Sequence, residues 1–140
     1  MEFISQNIFL ITIAVISGLA LLLPLLRDAR NHATHVSPAQ AVMLMNRQNA
    51  VIVDVRETTE FAAERIEGSR NIPAGELAGR VKELEKFKSR PLILTCASGA
   101  RSARAIGTLR KEGFAQVYNL GGGIKGWKDA GQPIAAGKRT

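Results

Sequence analysis

The sequence is poor in cysteine and in aromatic residues, and each shortage excludes a kind of protein. One cysteine in 140 residues excludes a disulfide-stabilised scaffold. Aromatic residues make up 5% and are not interleaved with basic runs, so no nucleic-acid-binding surface is predicted despite a net charge of +7. The positive charges alternate with acids, as over residues 82–86, and are interpreted as a solvated surface. The apolar content of 46%, arranged in blocks, argues against disorder.

One long apolar run lies near the amino terminus. From Ile8 to Leu26 there are 19 residues without a charge. At about 1.5 Å per residue, a helix of this length spans about 28 Å, close to the roughly 30 Å hydrocarbon thickness of a bilayer. The alternative is a secretory signal peptide, but Glu2 is the only charge before the run and no Ala-x-Ala site follows it. We therefore predict an uncleaved transmembrane helix within residues 1–27, with residues 8–26 in the membrane.

The charges that flank the run predict its orientation. Arg27 and Arg30 lie just after it, and no basic residue precedes it. Under the positive-inside rule, the carboxy-terminal part of the chain then lies in the cytoplasm. A single free thiol also suits this reducing compartment.

The rest of the chain divides into three parts. Residues 28–35 are polar and predict a short linker, residues 36–133 predict one domain, and residues 134–140 predict a tail. Within the domain, apolar and β-branched runs at 51–55, 92–95 and 117–120 are typical of buried strands. Helical patterns separate them. Alternating strands and helices predict an α/β fold, with a parallel sheet that carries helices on both faces.

A cysteine stands at the carboxyl end of the second predicted strand, where function collects in such sheets. Cys96 leads into a loop of small residues and then into a helix that begins near Ser102. Loop amides, the helix dipole and the charge of Arg101 would all lower a thiol pKa that is ordinarily near 8.5. Gly99 allows the positive φ that such a loop needs. The alternative is an inert buried cysteine, but the loop composition favours a reactive thiol.

Four pieces of the domain, in order, resemble the rhodanese-like sulfurtransferases, and in particular their single-domain, membrane-anchored bacterial members. The pieces are residues 51–57 with Glu60 and Phe61, residues 66–73, the loop 96–102, and residues 119–127. The resemblance implies the rhodanese-like fold across the domain. For an anchored bacterial chain it also implies the inner, cytoplasmic membrane.

The resemblance implies roles for the loop residues. Cys96 would be the nucleophile that accepts a sulfane sulfur and carries it as a persulfide. Arg101 would attract a small anionic donor such as thiosulfate, and the acceptor would be a thiol or cyanide. No cofactor and no metal is expected. The cradle around the persulfide would consist of Ala97, Ser98, Gly99, Ala100, Arg101 and Ser102.

Four more side chains are candidates for the rim or support of the site. Arg104 lies one helical turn after the loop, and Arg65 stands where many family members have histidine. Asp54 and Arg56 lie at the end of the first predicted strand. We interpret these two as a structural pair beneath the active loop.

A cysteine phosphatase also pairs a strand-end thiolate with a loop arginine. Those enzymes need five residues between the cysteine and the arginine, which makes room for a tetrahedral phosphate. Here four residues separate Cys96 from Arg101, and Ser102 occupies the position that a phosphatase requires for arginine. The shorter loop suits a single sulfur atom better.

Two other features receive structural interpretations. His32 and His35 are the only histidines. Both fall in the predicted linker, so neither a Cys–His relay nor a zinc site is expected. The glycines at 121–123 lack the wider spacing of a phosphate-binding loop and predict a tight turn that returns Trp127 to the sheet.

The sequence therefore predicts a membrane-anchored sulfurtransferase. The alternative is a membrane-tethered binding or regulatory module of the same fold with little turnover, which serves an unidentified membrane protein.

Overall fold

The computed structural model describes residues 1–137, apart from the side chains of residues 28–33. The chain divides into two compact units, residues 1–33 and residues 34–140. The first is helical, and the second is an α/β domain.

The first unit contains the apolar run. Helix α1 spans Glu2–Gln6 and helix α2 spans Ile8–Thr34. The stretch Ile8–Arg27 is long and apolar enough to cross a bilayer, and its large apolar side chains are exposed. The helix continues to Thr34 where a linker over 28–35 is predicted, because no glycine or proline interrupts it there.

The second unit alternates strands and helices. Helix α3 begins after the N-cap Ser37, whose hydroxyl accepts the Gln40 N–H at 3.2 Å. In chain order the elements are β1 (His35–Val36), α3 (Pro38–Gln48), β2 (Val51–Asp54), α4 (Thr58–Ala63), β3 (Glu64–Ile66), β4 (Arg70–Asn71), α5 (Leu77–Arg80), a 3₁₀ helix (Val81–Phe87), β5 (Leu92–Thr95), α6 (Ala100–Lys111), β6 (Val117–Leu120), α7 (Gly123–Asp129) and β7 (Ile134–Ala136).

A parallel sheet forms the centre of this unit. Its strand order is β1-β6-β5-β2-β4, and each pair of neighbours is parallel. Strand β5 lies between β2 and β6, with Leu94 opposite Val53 on one side and Asn119 on the other. The carboxyl ends of the three strands therefore meet at one edge of the sheet.

The central strands alternate their side chains between two apolar cores. Val53 and Leu94 pack in the core that includes residues of α6. Ile52 and Ile93 point the other way, into the core that includes Trp127. Strands buried on both sides explain the unbroken apolar runs in the sequence. The predicted α/β fold, with helices on both faces of a parallel sheet, is confirmed.

The short strands are the main difference from the sequence prediction. Residues 134–136, predicted as tail, form β7 and pair antiparallel with β3. His35, predicted as linker, belongs to β1 and pairs with β6. Segments of two or three residues are too short to show an alternating pattern, so the sequence does not reveal them. The end of the predicted tail, residues 138–140, lies outside the described residues.

Candidate active site

Cys96 directly follows the central strand β5 and is buried, with 1% of the residue exposed. The chain then turns through Ala97 and Ser98 into α6, whose N-cap is Gly99. Gly99 has a φ of +100°, so the predicted positive φ is confirmed. The turn places the positive end of the 12-residue helix α6 beside the cysteine.

The sulfur of Cys96 lies among hydrogen-bond donors. The Gly99 N–H donates to Sγ at 3.0 Å, and Oγ of Ser102 lies 3.4 Å from it. Burial by itself raises the pKa of the thiol. Hydrogen bonds from the Ser102 hydroxyl and from the N–H groups of Ser102, Ser98 and Gly99 outweigh burial, so the pKa of Cys96 is lowered. Such a site favours a thiolate, which is the nucleophilic form of cysteine.

Backbone hydrogen bonds from α7 hold the carbonyl groups of the loop. The Ile124 N–H donates to the Cys96 carbonyl at 2.8 Å, and the Lys125 N–H donates to the Ala97 carbonyl at 3.2 Å. Gly123, with a φ of +57°, permits this approach. A Cβ there would overlap the Cys96 carbonyl oxygen and lie 2.8 Å from the Ser98 nitrogen. The glycine turn therefore positions the loop as well as returning a buried Trp127 to the sheet.

The Arg101 guanidinium is already engaged by a carboxylate. Its Nη1 and Nη2 atoms donate to the two oxygens of Glu60 at 2.9 and 3.1 Å. These hydrogen bonds raise the pKa of Arg101 and lower the pKa of Glu60. Because both side chains are partly exposed, the pair is accessible to solvent and to ions. The positive charge expected to attract a donor is thus largely balanced.

Asp54 and Arg56 form a buried ion pair, as the sequence interpretation expects. Arg56 Nη2 donates to Asp54 Oδ2 at 2.7 Å and to the Glu64 carbonyl at 2.6 Å. Asn71 Nδ2 donates to the backbone carbonyls of both residues. The pair fixes the end of β2 next to the active loop.

Two other predicted rim residues have different positions. Arg65 Nη1 donates to the Gly137 carbonyl at 2.6 Å, and its guanidinium lies over the Phe61 ring. It therefore ties β7 to β3. Arg104 is exposed on α6. Neither arginine lines the cavity at the active loop.

A cavity of about 680 Å³ opens beside Ala97 and Ser98. Its charged groups are paired. Lys128 forms a salt bridge with Glu64 at 2.9 Å, and Lys125 forms one with Asp129 at 3.0 Å. The lining residues are Arg56, Glu60, Ala63, Glu64, Ala97, Ser98, Ile124, Lys125, Lys128 and Asp129. The opening therefore has a mixed charge and much more volume than one sulfur atom needs.

A buried amide on β6 completes the hydrogen bonds of the loop. Asn119 Nδ2 donates to the Gly99 carbonyl at 3.1 Å and lies 3.2 Å from His35 Nδ1. Ser102 Oγ lies 2.5 Å from Asn119 Oδ1. His35 thus belongs to the domain and reaches the loop through Asn119, whereas the side chain of His32 lies outside the described residues.

Comparison with known proteins decides the family. Residues 37–130 match the family model of the rhodanese-like domain. The chain belongs to the rhodanese-like family. It is 32% identical to the uncharacterized protein YibN of Escherichia coli, over 99% of this chain and 97% of that one. It is also 32% identical to the thiosulfate sulfurtransferase GlpE of Pseudoalteromonas translucida, over 69% of this chain and 90% of that one.

A solved structure supports the same assignment. The rhodanese-related protein from Thermoplasma volcanium superposes with a TM-score of 0.65 at 31% identity, and the match covers 72% of this chain and 96% of that one. The predicted resemblance to the rhodanese-like family is therefore confirmed.

Three polar or small residues at the rhodanese-like site have roles that sequence reasoning did not assign. Glu60 balances Arg101, Gly123 admits α7 to the loop, and Asn119 links Gly99 with Ser102. Only Asn119 has a clear signal in the sequence, because it is an amide within an otherwise apolar strand.

Replacing Gly123 with alanine is expected to displace the active loop of this rhodanese-like domain. A matched control is Gly131→Ala, since Gly131 also has a positive φ, +74°, but has no atom within 4 Å of a new Cβ. Both variants should lose about 1–2 kcal/mol through backbone strain. Only Gly123→Ala should also slow alkylation of Cys96 by iodoacetamide, by roughly tenfold or more. Equal alkylation rates in the two variants would show that α7 does not position the loop.

Proposed function

We propose that this chain is a membrane-anchored sulfurtransferase that carries sulfane sulfur as a persulfide on Cys96. The observation that carries the proposal is the position of Cys96 Sγ, 3.0 Å from the Gly99 N–H in a loop that lowers the pKa of the thiol. The GlpE relatives, which are named thiosulfate sulfurtransferases, support the reaction class.

The first step is a displacement at sulfur. The Cys96 thiolate attacks the outer sulfur of thiosulfate, and a new S–S bond forms as the old one breaks. Sulfite leaves with the electron pair, and Cys96 becomes a persulfide anion. The amides that favour the thiolate also favour this anion, because both place a negative charge at the end of the same side chain.

The second step returns the enzyme to its starting state. A thiolate or cyanide attacks the outer sulfur of the persulfide, and the Cys96 thiolate leaves with the electron pair. The products are an acceptor persulfide or thiocyanate. No oxidant or reductant enters, since sulfur moves between two nucleophiles.

The charges around Arg101 bear on the choice of donor. Glu60 holds both Nη atoms, so an anionic donor must compete with a carboxylate for the guanidinium. The neighbouring lysines, Lys125 and Lys128, are also paired with acids. We therefore infer a modest affinity for thiosulfate, with Glu60 as the residue that limits it.

We also propose that α2 anchors the domain to the bacterial inner membrane, with the domain in the cytoplasm. The stretch Ile8–Arg27 has the length and apolarity for a single span, and Arg27 ends it. Positive charge directly after the span favours a cytoplasmic carboxy-terminal side.

Persulfide formation is the direct test of the reaction. The full chain in detergent micelles, incubated with thiosulfate, is expected to gain about 32 Da, the mass of one sulfur atom. Cyanide should remove the added mass and release thiocyanate, because it is the acceptor in the second step. Intact mass spectrometry gives the readout. An unmodified wild type, or an equal gain on the Cys96→Ser variant, would refute the proposed reaction.

Loss of the Glu60 charge tests the inference about the donor. Glu60→Gln is expected to lower KM for thiosulfate about two- to fivefold, the range of a partly exposed ion pair. Steady-state kinetics with cyanide as acceptor measure the change. Glu83→Gln is the control, since it removes the same charge from an exposed pair with Arg80. A KM that is unchanged or raised in Glu60→Gln would contradict the inference.

Fusions at the carboxyl terminus test the orientation. Green fluorescent protein fused after the domain is expected to fluoresce in bacterial cells, and a disulfide-requiring alkaline phosphatase in the same position should be inactive, because the cytoplasm is reducing. The two reporters control for each other. A dark fluorescent fusion together with an active phosphatase would place the domain on the opposite side.

A further inference from the structure

Asn119 joins three parts of the site from the end of β6. The residue is 1% exposed, so each of its polar side-chain atoms needs a partner. Strand alternation turns it to the same side as Val117, toward α6, where it meets Ser102. Its Nδ2 atom reaches the Gly99 carbonyl at 3.1 Å and Nδ1 of the exposed His35 at 3.2 Å.

The neighbours of Asn119 fix the direction of its amide. The Gly99 carbonyl is an acceptor only, so the amide nitrogen must face it. The second hydrogen of Nδ2 is directed at His35 Nδ1. Oδ1 consequently faces Oγ of Ser102, at 2.5 Å.

The Ser102 hydroxyl has one proton and three acceptors within reach. Asn119 Oδ1 is nearest at 2.5 Å, followed by the Gly99 carbonyl at 3.2 Å and Cys96 Sγ at 3.4 Å. While Cys96 is a thiol, the hydroxyl proton points to Asn119 and the S–H group can donate to Oγ. Once the sulfur is ionised, a charge-assisted bond to sulfur becomes the stronger one and turns the proton toward it.

That rotation places two oxygens in repulsive contact. With the proton directed at Cys96, Ser102 Oγ and Asn119 Oδ1 present lone pairs to each other at 2.5 Å in a buried site. An unsatisfied polar contact away from water is unfavourable. Asn119 therefore opposes the negative charge that Ser102 stabilises.

We propose that Asn119 is a positioning residue that competes with Cys96 for the single proton of Ser102 and thereby governs how readily the sulfur carries negative charge. Its role in catalysis rests on the proposed function, in which the thiolate and the persulfide are the two anionic forms of Cys96. Because of Asn119, the sulfur is protonated for a larger fraction of the time than it would be with the hydrogen bonds from the loop amides and Ser102 alone.

A double-mutant cycle on the full chain in detergent tests this proposal. The rate of iodoacetamide alkylation is measured against pH for the wild type, Asn119→Leu, Ser102→Ala and the double variant. Asn119→Leu keeps nearly the same shape but removes the competing oxygen. The midpoint, which is the pH at which alkylation reaches half its maximal rate, should therefore fall by about half to one pH unit, a shift that corresponds to the free energy of one hydrogen bond. Ser102→Ala should raise the midpoint, because the thiolate loses a donor. In that background Asn119→Leu should no longer lower the midpoint.

The cycle separates this role from a structural one. Loss of the bond from Asn119 to the Gly99 carbonyl occurs in both backgrounds and cancels in the comparison. Equal shifts in both backgrounds, or a midpoint that stays or rises in Asn119→Leu, would overturn the proposal. Tyr118→Phe, a change at the next residue, whose side chain packs on the opposite core, is the control and should leave the midpoint unchanged. The four proteins of the cycle have the same charged and titratable groups near the loop. These are His35, Asp54, Arg56, Glu60, Glu64, Arg101, Lys125, Lys128 and Asp129.

A second variant covers the case in which Asn119→Leu does not fold, and the readout separates this proposal from the proposed reaction. If Asn119→Leu does not fold, as judged by thermal unfolding, Asn119→Ala removes the same oxygen and enters the same cycle. The alkylation midpoint does not depend on persulfide formation, so the cycle tests the role of Asn119 independently of the proposed reaction. A wild type that gains no sulfur from thiosulfate would refute the reaction alone.

Discussion

The site depends on the two backbone hydrogen bonds by which α7 holds the carbonyls of Cys96 and Ala97. A peptide group is planar, so a carbonyl directed at α7 turns the N–H of the same peptide to the opposite side. The N–H groups of Ala97 and Ser98, which belong to these two peptides, thereby point away from α7, and the Ser98 N–H joins the Gly99 N–H at the sulfur. Each contact needs the backbones to approach closely, which Gly123 allows. Helix α7 thus supports the acidity of the thiol by holding the loop in place, while the hydrogen bonds to the sulfur come from the loop amides and from Ser102.

Dipoles, more than free charges, stabilise the sulfur anion. Arg101 is the obvious cation in the loop, but Glu60 balances its charge. Arg56 is likewise bonded to Asp54 beneath the loop. Fixed N–H groups require little reorganisation when charge develops on a buried atom. The same amides therefore serve the thiolate and the persulfide of the proposed cycle, whichever donor delivers the sulfur.

Much of the fold can be predicted from the sequence, and part of the site cannot. The buried strands appear as unbroken apolar runs, and the strand-end Cys96 with Gly99 after it indicates the loop. Contacts between distant segments have no local pattern. Glu60 meets Arg101 from 41 residues away, and His35 meets Asn119 from 84 residues away. Strand β1, which carries His35, has only two residues, too few for any periodicity.

The buried pair of Ser102 and Asn119 is an unusual arrangement for stability alone. Apolar residues of similar size on these faces of α6 and β6 would fill the core without any hydrogen-bond requirement. All described buried side-chain polar atoms here have partners, but the one Ser102 proton serves several acceptors. A network with more acceptors than protons changes its pattern when the charge on the sulfur changes. Such a network suits a residue that alternates between thiol, thiolate and persulfide, as the proposed cycle requires of Cys96, more than a residue that only packs.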